Sequence, residues 1–185
     1  PQQNILQSMA IRTMAKAFYT SKKSGHYGLA FLYYSHFTSP IRRYPDVMAH
    51  RLLFDYLNDQ KNPDIKNLEE RCKHSSAMEL KAADAERASI KYKQAEYLQN
   101  FIGRVFPGII SGITEWGIYV ELIDNKCEGM IRLNSIFDDH YMLDEKEQAI
   151  VGKRSKRKFR LGDEVRIKIK KTDLNKRTID FILVS

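Results

Sequence analysis

The sequence predicts an α+β protein in which a mostly helical half is followed by a small five-stranded β-barrel. Two observations carry this reading. Apolar residues recur at helical spacing through residues 1–102, and the period then changes to that of strands over 103–185. The second stretch holds five short runs rich in β-branched residues, separated by turn chemistry, which is the pattern of a small closed barrel. The change of period sets the domain boundary, and no Pro/Gly/Ser-rich linker or internal repeat blurs it.

The first helix is predicted from Gln3 to Thr20, with Ile5, Leu6, Met9, Met14, Ala17 and Phe18 as its apolar stripe. Arg12 and Lys16 interrupt it, so it reads as neither a signal peptide nor a membrane span. Lys22, Lys23, Ser24 and Gly25 end it, and a short apolar stretch, Tyr27–Tyr34, follows. Ser39 as N-cap and Pro40 at the first helical position begin a second helix that reaches about Leu57. After a polar turn at Asn58–Pro63, a long helix covers about Ile65 to Phe101. The predicted strands are Val105–Ile113, Trp116–Leu122, Glu128–Leu133, Val165–Lys171 and Thr178–Val184, with a polar excursion at Asp138–Gln148.

The 185 residues are 43% hydrophobic and 29% charged, the balance of a soluble globular chain. No run of apolar residues is long enough for a membrane span. Lys and Arg number 31 against 23 Asp and Glu, and the resulting net charge of +8 points to a polyanionic partner, most simply nucleic acid. Cys72 and Cys127 lie far apart and read as free thiols in a reducing, cytoplasmic setting. No Cys/His spacing suggests zinc. A start at Pro1 without an initiator Met suggests a segment of a longer protein.

The most informative segment runs from Tyr34 to Asp46 and crowds Thr38, Ser39, Arg42, Arg43 and Tyr44 around a helix start. Backbone N–H groups and the dipole at such a start favour an anion, and an Arg fork matches two phosphate oxygens. Two Arg residues there oppose the dipole unless an anion completes the arrangement; the alternative is a capped helix whose Arg residues pair with surface carboxylates. A second clue is Glu86, which shares a face of the long helix with Ala82, Ile90, Tyr97 and Phe101. A carboxylate on an apolar stripe needs an Arg such as Arg42, a metal or a sugar hydroxyl; otherwise Glu86 lies at the wet margin of a wide stripe.

The string HYGLAFLYYSHFTSPIRRYPDVMAHRLL, His26–Leu53, resembles the catalytic-domain signature of the ribonuclease II / ribonuclease R family, as does the downstream Ala85-Glu86-Arg87. Arg43 tilts the resemblance toward ribonuclease R. The resemblance implies part of a catalytic domain over residues 1–102. It also implies a processive hydrolytic 3′→5′ exoribonuclease that releases nucleoside 5′-monophosphates from RNA with Mg²⁺. It makes Arg42 the clamp on the scissile phosphate and Glu86 a carboxylate near the terminal nucleotide, both catalytic. Thr38, Ser39, Arg43 and Tyr44 then line the same end of the RNA channel. The family's cluster of metal-binding aspartates has no counterpart in this sequence, so metal ligands are expected upstream and the chain alone is expected not to hydrolyse RNA.

Residues 103–185 resemble the RNA-binding OB-fold module named after the largest protein of the bacterial small ribosomal subunit. The resemblance rests on Gly108, Ile113, Trp116–Val120, Glu128–Arg132, Asp173 and Arg177. Trp116 and Tyr119 are three apart, and Gly117 permits a bulge that brings both rings to one surface for base stacking. Arg132 and Arg177 then meet phosphates, Asp173 orients Arg177, and Phe106 adds a stacking ring; Phe106 or Trp116 in the barrel core is the competing reading. The basic run Gly152–Arg160 is either a solvated loop or an electrostatic funnel for single-stranded RNA. A non-enzymatic RNA-binding module and a degenerate nuclease are the competing functions. Truncation of a larger domain also leaves apolar surface that promotes dimers.

Overall fold

The computed structural model describes residues 10–11, 13–14, 16–60, 63–144, 147 and 149–184. Contacts divide the chain into two compact units, and the division falls between Ala85 and Glu86.

The helical unit contains α1, Tyr44–Leu57, and the start of α2, Ile65–Gln99. The start of α1 corrects the expected one: the N-cap is Arg43 and a Pro lies in the first turn, so Ser39 and Pro40 precede the helix as a separate turn. Pro45 is the reason. Had the helix begun at Pro40, Pro45 would lie inside it, lacking an N–H and clashing with the carbonyl of Ile41. At its C-terminal end the Asn58 side chain donates to the Phe54 carbonyl at 2.7 Å. Asp64 opens α2 by accepting from the N–H groups of Lys66 at 3.0 Å and Asn67 at 3.4 Å.

Half of the helix expected from Gln3 to Thr20 falls outside the described residues. Within them, Ala10, Ile11 and Thr13 are helical, whereas Lys16–Thr20 are irregular. There the backbone bonds sideways instead: Tyr19 N–H donates to the Ser76 hydroxyl at 2.8 Å and Ser21 N–H to Glu69 at 2.8 Å. The apolar stretch after Lys23 forms a 3₁₀ turn, Tyr27–Leu29, closed by a bridge between His26 and Phe31.

In the barrel unit the five expected strands all form. β1 (Val105–Thr114), β2 (Gly117–Leu122), β3 (Glu128–Arg132), β7 (Glu164–Asp173) and β8 (Thr178–Val184) close in the order β1-β2-β3-β8-β7. Every pairing is antiparallel except β3 with β8, which join in parallel at Met130↔Asp180 and Ile131↔Phe181. Alternate residues point inward, so Ile118, Val120, Leu122, Ile131, Ile167, Ile169 and Phe181 are all buried. Gly129 is required there, because a Cβ on it would meet the Phe181 ring at 2.6 Å.

Ala95 and Leu98 of α2 are fully buried in this core. The stripe expected on α2 is therefore displaced: Glu86 is exposed, and Ile90 and Tyr97 are about half exposed. Steps of four residues drift by about 40° around a helix of 3.6 residues per turn, so the line from Ala82 to Phe101 winds off one face. Glu86 lies about 120° around the helix from Leu98, on the wet margin.

The polar excursion also differs from expectation. It carries β4 (Tyr141–Asp144), which joins β5 (Ala149–Gly152) and β6 (Lys158–Arg160) in a separate three-stranded sheet. Its organiser is Asp139, which accepts from Ser155 N–H at 2.6 Å, Ser155 Oγ at 2.8 Å and Arg154 N–H at 2.8 Å. Those donors, Ser155 foremost, hold the Asp139 carboxyl well below the usual carboxylate range. The apparent polar loop was thus a hairpin end pinned by one carboxylate. Cys72 and Cys127 are free, and burial raises both thiols.

Candidate nucleic-acid interface

In the helical unit, the turn before α1 is built on a buried carboxylate. Asp46 is fully buried, and its Oδ2 accepts from Thr38 N–H at 3.0 Å and Ser39 N–H at 2.6 Å. Burial pushes this carboxyl up, but the two N–H donors, the Arg43 charge and the Thr38 hydroxyl outweigh it and leave it lowered. Thr38 and Ser39 therefore spend backbone donors on Asp46, and the chain turns back on itself between them.

The two adjacent arginines have different surroundings. Arg43 is largely buried: its Nη2 donates to Tyr19 Oη at 2.6 Å and lies 3.5 Å from Asp46 Oδ1. Tyr19 is raised, first by burial and then by its hydrogen bond to Glu79. Arg42 is exposed, and its Nη2 donates to Thr38 Oγ1 at 3.2 Å. Arg43 is thus committed to structure and Arg42 is available to an anion. Both border a cleft of about 810 Å³ that Tyr44, Arg71, His74 and Glu79 also line. Arg71 Nη1 donates to Tyr44 Oη at 3.4 Å. Sequence reasoning missed Asp46; the signal available was an Asp directly after Pro45, in the first turn of a helix.

On the barrel, Tyr119, Arg132 and Arg177 line one groove together with Glu128, Met130 and Asp180. Tyr119 stands over Gly112, its partner on β1, where a Cβ would meet the Tyr119 side chain at 3.4 Å. Arg132 Nη2 lies 3.5 Å from Asp180 Oδ1, a half-exposed pair that a phosphate can exchange into at little cost. Asp180 was missed because its place opposite Arg132 depends on the parallel β3–β8 seam.

Other residues lie differently from expectation. Trp116 is 73% exposed but sits in the turn before β2, and the register shift lies in β1 between Ile110 and Gly112, not at Gly117. The turn, rather than a bulge, frees this ring from strand alternation. Gly117 instead permits close packing: a Cβ there would lie 2.5 Å from the Ile131 carbonyl. Phe106 packs, partly buried, against the core and meets Phe101 edge-on at 6.1 Å. Asp173 accepts from Lys176 N–H at 3.0 Å, so it shapes the turn and not the Arg177 guanidinium. Arg177 itself adopts φ +54° to close that turn.

The basic run is partly consumed. Arg157 pairs with Asp138 at 3.6 Å, and Lys158 and Arg160 both pair with Glu147. Lys153, Arg154 and Lys156 are exposed in the β5–β6 connection.

Among the described residues, no group of three or more His, Cys, Asp or Glu is arranged to hold a metal ion. The described side chains do not fit a Mg²⁺ site.

An exposed arginine at a helix start and, separately, a barrel face carrying an aromatic ring and two arginines are features suited to a polyanion such as a nucleic acid. Residues 1–59 match the RNB domain family and residues 99–183 the S1 RNA binding domain family. The chain is 40% identical to ribonuclease R of Aquifex aeolicus, over 100% of its own length and 26% of that protein. It is 34% identical to ribonuclease R of Escherichia coli, over 100% of its length and 24% of that protein. It superimposes on the apo form of Mycoplasma genitalium RNase R with a TM-score of 0.90 at 30% identity, covering 100% of this chain and 30% of that one. The same enzyme in complex with ribose methylated single-stranded RNA gives a TM-score of 0.89. The chain carries RNB and S1 RNA binding domain matches and is similar to ribonuclease R along its whole length, and it spans about a quarter of the length of the curated relatives it matches.

Proposed function

We propose that this chain is the RNA-engaging segment of a hydrolytic 3′→5′ exoribonuclease that releases nucleoside 5′-monophosphates. In this reading Arg42 neutralises charge on a scissile phosphate, Glu86 contacts a nucleotide, and the barrel binds single-stranded RNA. Thr38, Ser39, Arg43 and Tyr44 shape that end of the channel. Metal ions, when bound, supply the activated water and hold the leaving oxygen; their ligands belong to parts of the enzyme outside this chain. The chain alone binds single-stranded RNA without cleaving it.

The observation that carries the reading is the division of labour at Arg42 and Arg43. A turn that buries Asp46 to immobilise one arginine, and leaves its neighbour exposed beside a cleft, is preorganised for an anion. In the full-length enzyme containing this chain, Arg42→Ala should lower turnover about a hundredfold or more while single-stranded RNA affinity changes far less. Equal losses in both would make Arg42 an ordinary phosphate contact. Cleavage of RNA by the 185-residue chain with Mg²⁺, with contamination excluded, would overturn the assignment of the metal site to other parts. The exposed Phe31, Leu32, Tyr33 and Phe54 of the helical unit support self-association of the isolated chain, which sedimentation across concentration tests.

A further inference from the structure

We infer that Lys91, on α2, is an RNA phosphate contact, so that the helix forms the second wall of the barrel's strand-binding groove. The inference rests on the reading of the barrel face as an RNA-binding surface and extends it to a residue outside the barrel.

Lys91 lines the same groove as Tyr119, Arg132 and Arg177. Its position is fixed within the barrel unit, to which the helix belongs from Glu86 onward. Two anchors hold that part of α2. Ala95 and Leu98 are fully buried in the barrel core. One turn after Lys91, the Gln94 amide donates from Nε2 to the Lys126 carbonyl at 3.1 Å, tying the helix to the β2–β3 connection. Residues three apart share a helix face, so the tether that brings Gln94 to the barrel brings Lys91 to the groove as well.

Lys91 is exposed and forms no ion pair among the described residues, whereas nearby Lys93 pairs with Glu96 at 2.7 Å. The groove also contains two carboxylates, Glu128 and Asp180. Glu128 accepts from Ser111 Oγ at 2.7 Å, and Asp180 faces Arg132. With Lys91, the cations of the groove outnumber these carboxylates; without it, the two signs balance. A polyanion needs the surplus, and the helix supplies it.

The test is equilibrium binding of a labelled oligouridine to the 185-residue chain across a salt series. Lys91→Ala and Lys91→Gln should weaken binding about three- to tenfold and reduce the salt slope by about one unit, and Lys91→Arg should restore both. Tyr119→Ala and Arg177→Ala are measured alongside. Loss of affinity in those two with no change in Lys91→Ala overturns the inference and leaves the barrel reading intact. No change in any of them removes the barrel reading, and the inference with it. Acetylation of lysines with and without RNA gives a second readout, in which bound RNA should shield Lys91 and leave Lys66, at the other end of α2, equally reactive. Equal labelling of Lys91 in both states would count against a direct contact.

Discussion

The barrel unit and the helical unit are organised by opposite means. The barrel closes around a continuous set of isoleucines with Val120, Leu122 and Phe181, nearly all with almost no exposed surface. The helical unit buries Met48 and Cys72, but its centre is Asp46 with Arg43 and Tyr19, and it leaves Leu32, Ile41 and Phe54 exposed. An apolar core specifies shape through volume and alternation. A polar centre specifies it through donors and acceptors, each of which must be met. The barrel therefore offers a stable face on which groups can be hung. The turn before α1 instead makes its hydrogen-bond network and its candidate site from the same residues.

The sharpest way to break this comparison is a pair of core truncations. Phe181→Ala should cost about 3–5 kcal/mol in urea unfolding of the barrel, and Met48→Ala about 2 kcal/mol, the low end for a buried side chain. Equal costs would mean that the helical unit has an apolar core after all. A smaller effect concerns the barrel's outer face: Trp116→Ala should weaken single-stranded RNA binding by about 1–3 kcal/mol, measured by fluorescence anisotropy, without shifting barrel stability. A loss of stability instead would move Trp116 into the fold's structural set.

The subtlest test is of pH. The Asp46 carboxyl is lowered in the folded chain. Its stabilisation is therefore complete above the unfolded carboxylate value, near about 4, and is lost as pH falls through the lower folded value. Helical circular dichroism from pH 6 downward should report this loss. Asp46→Asn should be less stable at pH 6 and flatter below it, while the barrel's own transition is unmoved. A wild-type profile retained in Asp46→Asn would show that another group governs the helical unit.

Much of the barrel was legible because alternation and turn chemistry are local signals. All five of its strands were found; that Tyr119, Arg132 and Arg177 line one groove is visible only in the folded chain. The sheet made by β4, β5 and β6 was not legible. Its strands are only three or four residues long and are held by Asp139 across a gap in sequence that composition reads as loop. In the helical half, the weight given to Ser39-Pro40 hid the stronger constraint at Pro45. Arg42 and Arg43 looked equivalent as letters. Their difference depends on Tyr19, more than twenty positions away, which no local pattern connects to them.

The parallel seam between β3 and β8 has a kinetic consequence. Its partners are about fifty residues apart in sequence, so barrel closure is a non-local event that must wait for loop entropy to be overcome. The groove is assembled across that same seam: Arg132 comes from β3, and Asp180 with the Arg177 turn comes from β8 and its approach. An unclosed barrel has no groove. On the proposed reading of this groove, RNA is a ligand of the closed state alone, and its binding draws the equilibrium toward closure as its concentration rises above its dissociation constant. A strand bound there would also hold the barrel shut.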